Sequence, residues 1–433
     1  MDRPQIRGID RGIVYGPLPS QVRFHRSAAR FKGFSGPIGS GKSQALCQEA
    51  IKLSYVNAGR TGLIGAPTFA MLRDATQSAF FEVLGANGIP YEFNKAENVL
   101  LMKDTRSKIL FRSLDEFERL RGTNLAWFGV DELTYTAEEA WLRLEGRLRD
   151  PKAKKLQGFA VWTPKGFDWV YRRFIKDPVE GYETILAKPY ENRYVLDKVP
   201  DFYDRLKRSY DERFFEQEAL GEYINLSAGR VYHAFSRERN VRDVQIDPAL
   251  PLLWALDFNV DPMCSIVAQK WGDDVRVLDE IVLRQASTQM ACEEFCGRYG
   301  RHRGQLIVYG DASGARRQTA GTTDYRIVKE CLNHGGFRDF RQKVPPSNPS
   351  VRERVQLTNA KLGSADGETH LYVSPGCKGL ILDLEEVLYK PDSLVVDKER
   401  DPKRTHLSDA LGYLIWQECR EQATFGERDR PLF

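Results

Sequence analysis

Residues 36–43 read Gly-Pro-Ile-Gly-Ser-Gly-Lys-Ser and fit the pattern G-x-x-x-x-G-K-[ST]. No other stretch restricts the fold as much, because the pattern works only as a loop between a strand and a helix. Both flanks agree: the apolar run Phe31–Ser35 precedes it and a helical stretch follows. Gly36, Gly39 and Gly41 let backbone N–H groups wrap a phosphate, and the N-terminus of the next helix adds its dipole. In such a loop Lys42 reaches the β- and γ-phosphates of ATP and the Ser43 hydroxyl ligates Mg²⁺. A strand–loop–helix unit calls for a sheet covered by helices, the α/β class. An accidental glycine-rich turn is the bland alternative.

A second acidic element argues against accident. The apolar run from Leu125 ends in Asp131-Glu132, the Walker B pattern. Asp131 there holds Mg²⁺ through water, and Glu132 polarises the attacking water as general base. Alone, two acids at a strand end are commonly just solvated. Gln21 is a candidate to read the adenine edge, with a surface glutamine as the ordinary alternative. Thr163, after the run FAVW, is a candidate γ-phosphate sensor or a helix cap. Phosphoryl transfer develops charge that arginine stabilises, and Arg121 and Arg73 are the candidates.

Strand-like runs recur at Phe31–Ser35, Gly62–Ala66, Lys108–Ser113, Ala126–Val130 and Phe159–Thr163. Their near-continuous apolar character predicts a parallel sheet buried on both faces. Residues 165–228 show no strand alternation. A second α/β block is predicted from Gly229, with strands at Leu252–Phe258, Cys264–Gln269, Val275–Ile281 and Gln305–Gly310. Helices are predicted at 287–299, 324–334, 350–362, 376–388 and 405–419. The resulting division is a motor domain over 1–175, a helical connector over 176–228, a second domain over 229–419 and a mobile tail over 420–433.

In that second block Asp257 and Asp311 each end a strand, and Asp409 lies on the last helix. In an RNase H-like sheet the first strand lies beside a later one and a C-terminal helix crosses both, which would converge the three. Clustered carboxylates need a cation, and hard oxygen donors select Mg²⁺ or Mn²⁺. Two such ions activate water and stabilise the leaving oxygen of a phosphodiester. Aspartate at a strand end is also an ordinary turn former; it is the combination that points to a site. Glu280, Asp261 and His406 are secondary candidates. Arg316, Arg317, Arg352 and Arg354 are candidate phosphate contacts, a solvated charged face being the alternative for each.

Bulk composition bounds the partners. The 433 residues carry a net charge of only +4, so any nucleic acid must be held by local patches rather than a polybasic surface. Seven scattered cysteines without a CxxC pair predict free thiols in a reducing compartment. The N-terminus is charged where a secretory signal would be apolar, and no apolar run approaches a membrane span.

Taken together, FSGPIGSGKS, LRGTNLAWFGVDE, ALGEYINLSAGRVYHAF, LDFNVDPM, YGDASG, SNPSVRERV and THLSDALGY resemble the segments of a phage terminase large subunit, in the family's order. The resemblance implies a P-loop, RecA/ASCE-like ATPase domain followed by an RNase H-like nuclease domain. It implies ATP-driven translocation of viral double-stranded DNA into a procapsid and a Mg²⁺- or Mn²⁺-dependent endonuclease that cuts the concatemer. The implied partners are the portal protein, a terminase small subunit and further copies of the chain in a docked ring, with a monomer in solution. The implied place is the host cytoplasm. It further implies that Arg121 acts in trans. A helicase-nuclease of DNA repair is one alternative, and it should carry a second RecA-like domain. A non-catalytic portal-associated scaffold is the other, and the intact Lys42, Ser43, Asp131 and Glu132 speak against it.

Overall fold

The computed structural model describes residues 14–120, 122–224, 229–259, 261–315, 322–390, 393–401 and 404–428. They form two compact units. The first contains residues up to 202 together with 216–224. The second contains 203–215 and the described residues from 229 onward.

The first unit is built on an eight-stranded sheet. Its strands are β1 (Phe31–Ser35), β2 (Thr61–Ala66), β3 (Tyr91–Asn94), β4 (Val99–Met102), β5 (Lys108–Ser113), β6 (Trp127–Val130), β7 (Gln157–Trp162) and β8 (Tyr182–Leu186). The spatial order is β3-β4-β5-β2-β6-β7-β1-β8. The pairs from β5 through β8 are parallel, and β3-β4-β5 is antiparallel. The fully buried strands β6 and β7 alternate between two cores, as a sheet covered on both faces requires. Trp127, Phe159 and Val161 enter one; Phe128, Val130, Ala160 and Trp162 enter the other.

All five predicted strands of this unit form. Three others were not foreseen. β3 and β4 are short and close a hairpin at Asn98, which takes a left-handed φ of 51°. β8 lies in the segment expected to be a helical connector. That segment does carry short helices at Arg193–Leu196, Phe202–Ser209 and Glu212–Phe215. Its strand, however, extends the first sheet beside β1. Only Ile185 of β8 is buried, so its sequence shows no apolar pattern.

The second unit has β9 (Leu252–Asp257), β10 (Met263–Trp271), β11 (Asp274–Leu283), β12 (Leu306–Gly310), β13 (Phe340–Gln342) and β14 (Leu371–Val373), ordered β13-β12-β9-β10-β11-β14. β9-β10-β11 is an antiparallel meander, and β12 joins β9 in parallel. Five helices matter here. α1 spans Thr288–Tyr299, α2 Asp324–His334, α3 Val351–Leu362, α4 Lys378–Glu386 and α5 His406–Arg428. α1 and α2 contribute Cys292, Phe295, Val328 and Leu332 to the core on one face. α3, α4 and α5 supply Val355, Leu380, Ile381, Ala410, Leu411, Leu414 and Ile415 to the other. The tail expected from 420 is helical as far as Arg428; 429–433 lie outside the described residues.

Candidate active sites

In the first unit, β7 stands between β1 and β6. The phosphate loop leaves β1, and Asp131 follows β6, so the two features lie at the same end of the sheet with one strand between them. Gly36 N–H donates to the Trp162 carbonyl at 3.0 Å, tying the loop to β7. Gly39 and Gly41 have φ of 77° and 80°, which strain any side chain. The helix Lys42–Val56 starts directly after them. Lys42 Nζ donates to the carbonyls of Gly36 and Pro37 at 3.0 and 2.9 Å, so the ammonium lies across the cradle. Ser43 is half-buried on the first turn of that helix.

Asp131 is buried and accepts from Thr76 Oγ1 at 2.9 Å, a partner that no sequence signal marks. Glu132 takes the left-handed conformation (φ 48°, ψ 53°), which costs a residue with a side chain about 1 kcal/mol or more. Thr163 is buried just past β7, with its carbonyl accepting from Thr134 Oγ1 at 3.2 Å. Gln21 is 3% exposed, not on the surface. Its Oε1 accepts from Leu18 N–H at 2.8 Å and its Nε2 donates to the Gly41 carbonyl at 2.9 Å. It therefore braces the loop as it stands. Arg73 is exposed and paired with its neighbour Asp74 at 2.6 Å. Arg121 lies outside the described residues.

In the second unit the strand period places two carboxylates on one face. Leu253 and Ala255 of β9, and Ile307 and Tyr309 of β12, point into the α5 side core. Asp257 and Asp311 share that parity. Gly310 pairs with Leu256, so the two aspartates are the next residues of neighbouring strands. Asp409 sits on the first turn of α5, which packs on β9, β10 and β12.

Each carboxylate has partners. Asp257 Oδ2 lies 2.9 Å from His406 Nδ1 and accepts from Asn259 Nδ2 at 2.8 Å. Burial pushes the Asp257 carboxyl up; the His406 hydrogen bond opposes this and the Asp409 charge adds to it. Asp311 Oδ1 accepts from Asn348 Nδ2 at 2.7 Å and Ser313 N–H at 2.6 Å. Asp409 accepts from Arg354 at 2.8 Å on Oδ1 and from Lys398 at 2.6 Å on Oδ2. Among the described residues, no group of three or more His, Cys, Asp or Glu is gathered to hold a metal ion. The backbone thus brings the three expected aspartates to one face without closing their side chains into a cluster, because nearby amides and cations engage each carboxylate. As a donor set, three carboxylates with two in electrostatic reach of one another suit a hard divalent cation.

Other expectations shift. Arg354 is buried against Asp409 and stacks on Tyr413 at 4.3 Å, so it is part of the site's frame and not an exposed phosphate contact. Glu280 accepts from the Gly379 and Leu380 N–H groups at 2.9 and 2.8 Å and so caps α4. Asp261 is exposed, and Arg352 is half-buried. Arg316 and Arg317 lie outside the described residues. All seven cysteines are free.

Residues 34–239 match the model of the terminase large subunit family, T4-like-virus type, N-terminal domain. The PBSX phage terminase large subunit of Bacillus subtilis (strain 168) is 28% identical over 145 residues, 33% of this chain and 33% of that protein. The terminase large subunit of Thermus virus P23-45 is 25% identical over 222 residues, 46% of this chain and 43% of that protein. Over these stretches the chain is similar to phage terminase large subunits. These sequence matches span less than half the length of either relative. In fold the likeness reaches further. The large terminase of a thermophilic bacteriophage, solved in complex with ADP, superposes over 92% of this chain and 98% of its own, with a TM-score of 0.65 at 15% identity. The fold is accordingly an α/β ATPase-type domain followed by an RNase H-like domain. Among the described residues no helix is long and apolar enough to cross a membrane.

Proposed function

We propose that this terminase chain hydrolyses ATP at the phosphate loop to drive double-stranded viral DNA into a procapsid, and cuts that DNA at the carboxylate site. One observation carries the reading: a single chain holds a phosphate loop beside a buried strand-end acid and, in its other unit, three aspartates on one face of an RNase H-like sheet.

In the motor, the Gly36–Gly41 loop seats the phosphates and Lys42 moves from its carbonyls to their charge. Ser43 and Asp131 would hold Mg²⁺, which supplies charge neutralisation when bound. Glu132 orients and deprotonates the attacking water, and Thr163 stands between loop and acid to sense the γ-phosphate. Gln21, bonded to Gly41, reports adenine occupancy to the loop. Arg121 is assigned to a neighbouring subunit's nucleotide in a ring docked on the portal protein, with a small subunit choosing the DNA. In the nuclease, Asp257, Asp311 and Asp409 would hold Mg²⁺ or Mn²⁺, which supplies Lewis acidity to a phosphodiester when bound. His406, on Asp257, keeps that carboxylate oriented. The setting we assign is the host cytoplasm.

Plasmid digestion and ATP turnover by the purified chain in Mg²⁺, Mn²⁺ and EDTA test both halves. Cation-dependent cleavage together with DNA-stimulated ATPase is expected. ATPase with strand separation and no cleavage would favour a repair helicase; neither activity would favour a scaffold.

A further inference from the structure

The two cations on Asp409 are not alike. Arg354 is buried, bonds both the Asp409 carboxylate and its carbonyl, and is stacked on Tyr413. It is fixed in the core of the unit. Lys398 reaches the other oxygen at 2.6 Å from a surface segment, with 51% of its side chain exposed. That segment follows the isolated bridge between Tyr389 and Val396 and leads into α5. A four-carbon stem in solvent leaves such a contact easily, whereas a stacked, buried guanidinium does not.

We propose that Lys398 is a built-in counter-ion of the carboxylate site: it occupies the Asp409 oxygen that a divalent cation would take, and is displaced when that cation binds. This rests on the nuclease reading above. Like charges on Asp257 and Asp409 oppose one another, and a positive charge has to offset them. The Lys398 charge bears on Asp257 as well as on Asp409, so its ammonium serves both carboxylates. Arg354 bonds Asp409 on the oxygen away from Lys398. A cation entering between the two carboxylates therefore competes with the lysine and not with the arginine. Once displaced, the ammonium stands beside the site with three donors, suited to a phosphate of the DNA backbone.

The test is Mn²⁺ binding to the full chain without DNA, near neutral pH, by titration calorimetry and by loss of the free-Mn²⁺ spin-resonance signal. Lys398→Met keeps the length and removes the charge; it should bind Mn²⁺ roughly two- to fivefold more tightly, the size of a half-exposed ion pair that need not be broken. Lys398→Arg should stay near wild type, and Asp257→Asn should lose binding. Equal or weaker binding by Lys398→Met, with binding still lost in Asp257→Asn, overturns the counter-ion role and leaves the nuclease reading standing. No Mn²⁺ binding by the wild-type chain overturns both. Half of the Lys398 side chain is in solvent, so its replacement leaves the core untouched, and Lys398→Gln repeats the measurement if the methionine variant precipitates.

Discussion

Glu49→Gln should destabilise the first unit more than any surface change there. Glu49, on the helix that starts in the phosphate loop, and Lys32, on β1, both have fully buried side chains. Lys32 Nζ donates to Glu49 Oε1 at 2.8 Å and to the Phe24 carbonyl at 2.7 Å. His25 Nδ1 lies 2.6 Å from Glu49 Oε2, and Lys52 donates to the same oxygen at 3.0 Å. Glutamine preserves the volume and one acceptor but removes the charge, leaving the Lys32 ammonium buried without a counter-charge. Breaking a buried pair in this way costs about 3–5 kcal/mol. For a unit of this size that is a fall in Tm on the order of 10 °C.

The deficit should also depend on pH in a bounded window. Burial pushes the Glu49 carboxyl up, but His25 and the two lysines outweigh it and hold it down to about 2. That stabilisation is present above the ordinary 4.5 and is lost as pH falls toward 2, so the deficit shrinks in acid. Burial pushes Lys32 down to about 8 even with Glu49 beside it. Without Glu49 it falls further, and a neutral lysine carries no desolvation penalty, so the deficit shrinks again as pH rises toward 8. Scanning calorimetry from about pH 3 to 9, with hydrogen exchange on peptides of 42–56 to assign the transition, reads both features. A Tm within about 2 °C of wild type near neutral pH would sink the argument, as would a deficit that is flat across that range.

Three further outcomes are expected. Lys42→Ala should abolish ATP turnover while plasmid cleavage persists; loss of both in a folded variant would refute the separation of the two sites. Asp257→Asn should cut Mn²⁺-dependent nicking by at least a hundredfold, about 3 kcal/mol in barrier, with ATPase intact; wild-type nicking would make the strand-end aspartates ordinary turn residues. Burial raises the Asp383 carboxyl from 3.8 to about 6, so the folded chain loses stability as pH rises from about 4 to 6. Asp383→Asn should lack that slope and gain up to about 3 kcal/mol over wild type at neutral pH; urea midpoints that run parallel for the two proteins between about pH 4.5 and 7.5 would refute it.

Local signals carried much of this architecture. The phosphate loop needed no tertiary information, because its glycines and Lys42 are contiguous and the strand and helix around them are periodic. The apolar runs at β1, β2, β6, β7, β9, β10 and β12 were readable because strands buried on both faces must be apolar almost throughout, and those at β5 and β11 because alternate residues face the core. Asp257, Asp311 and Asp409 were legible as candidates because each closes or opens such an element. β8 and the β3–β4 hairpin were not: they are short and mostly unburied, so pairing alone makes them strands.

What the side chains do was decided through space. Gln21 and Gly41 meet because the helix Pro19–Arg26 packs beside the phosphate loop. Arg354 and Asp409 meet because α3 packs on α5, and Glu280 caps α4 from a strand far away in sequence. Composition and periodicity report whether a residue is buried and on which face, since both follow from its immediate neighbours along the chain. Which carboxylate receives which partner depends on Coulomb and hydrogen-bond terms that fall off over a few ångströms, between residues as far as 149 positions apart for His406 and Asp257. Only the folded chain sets those distances.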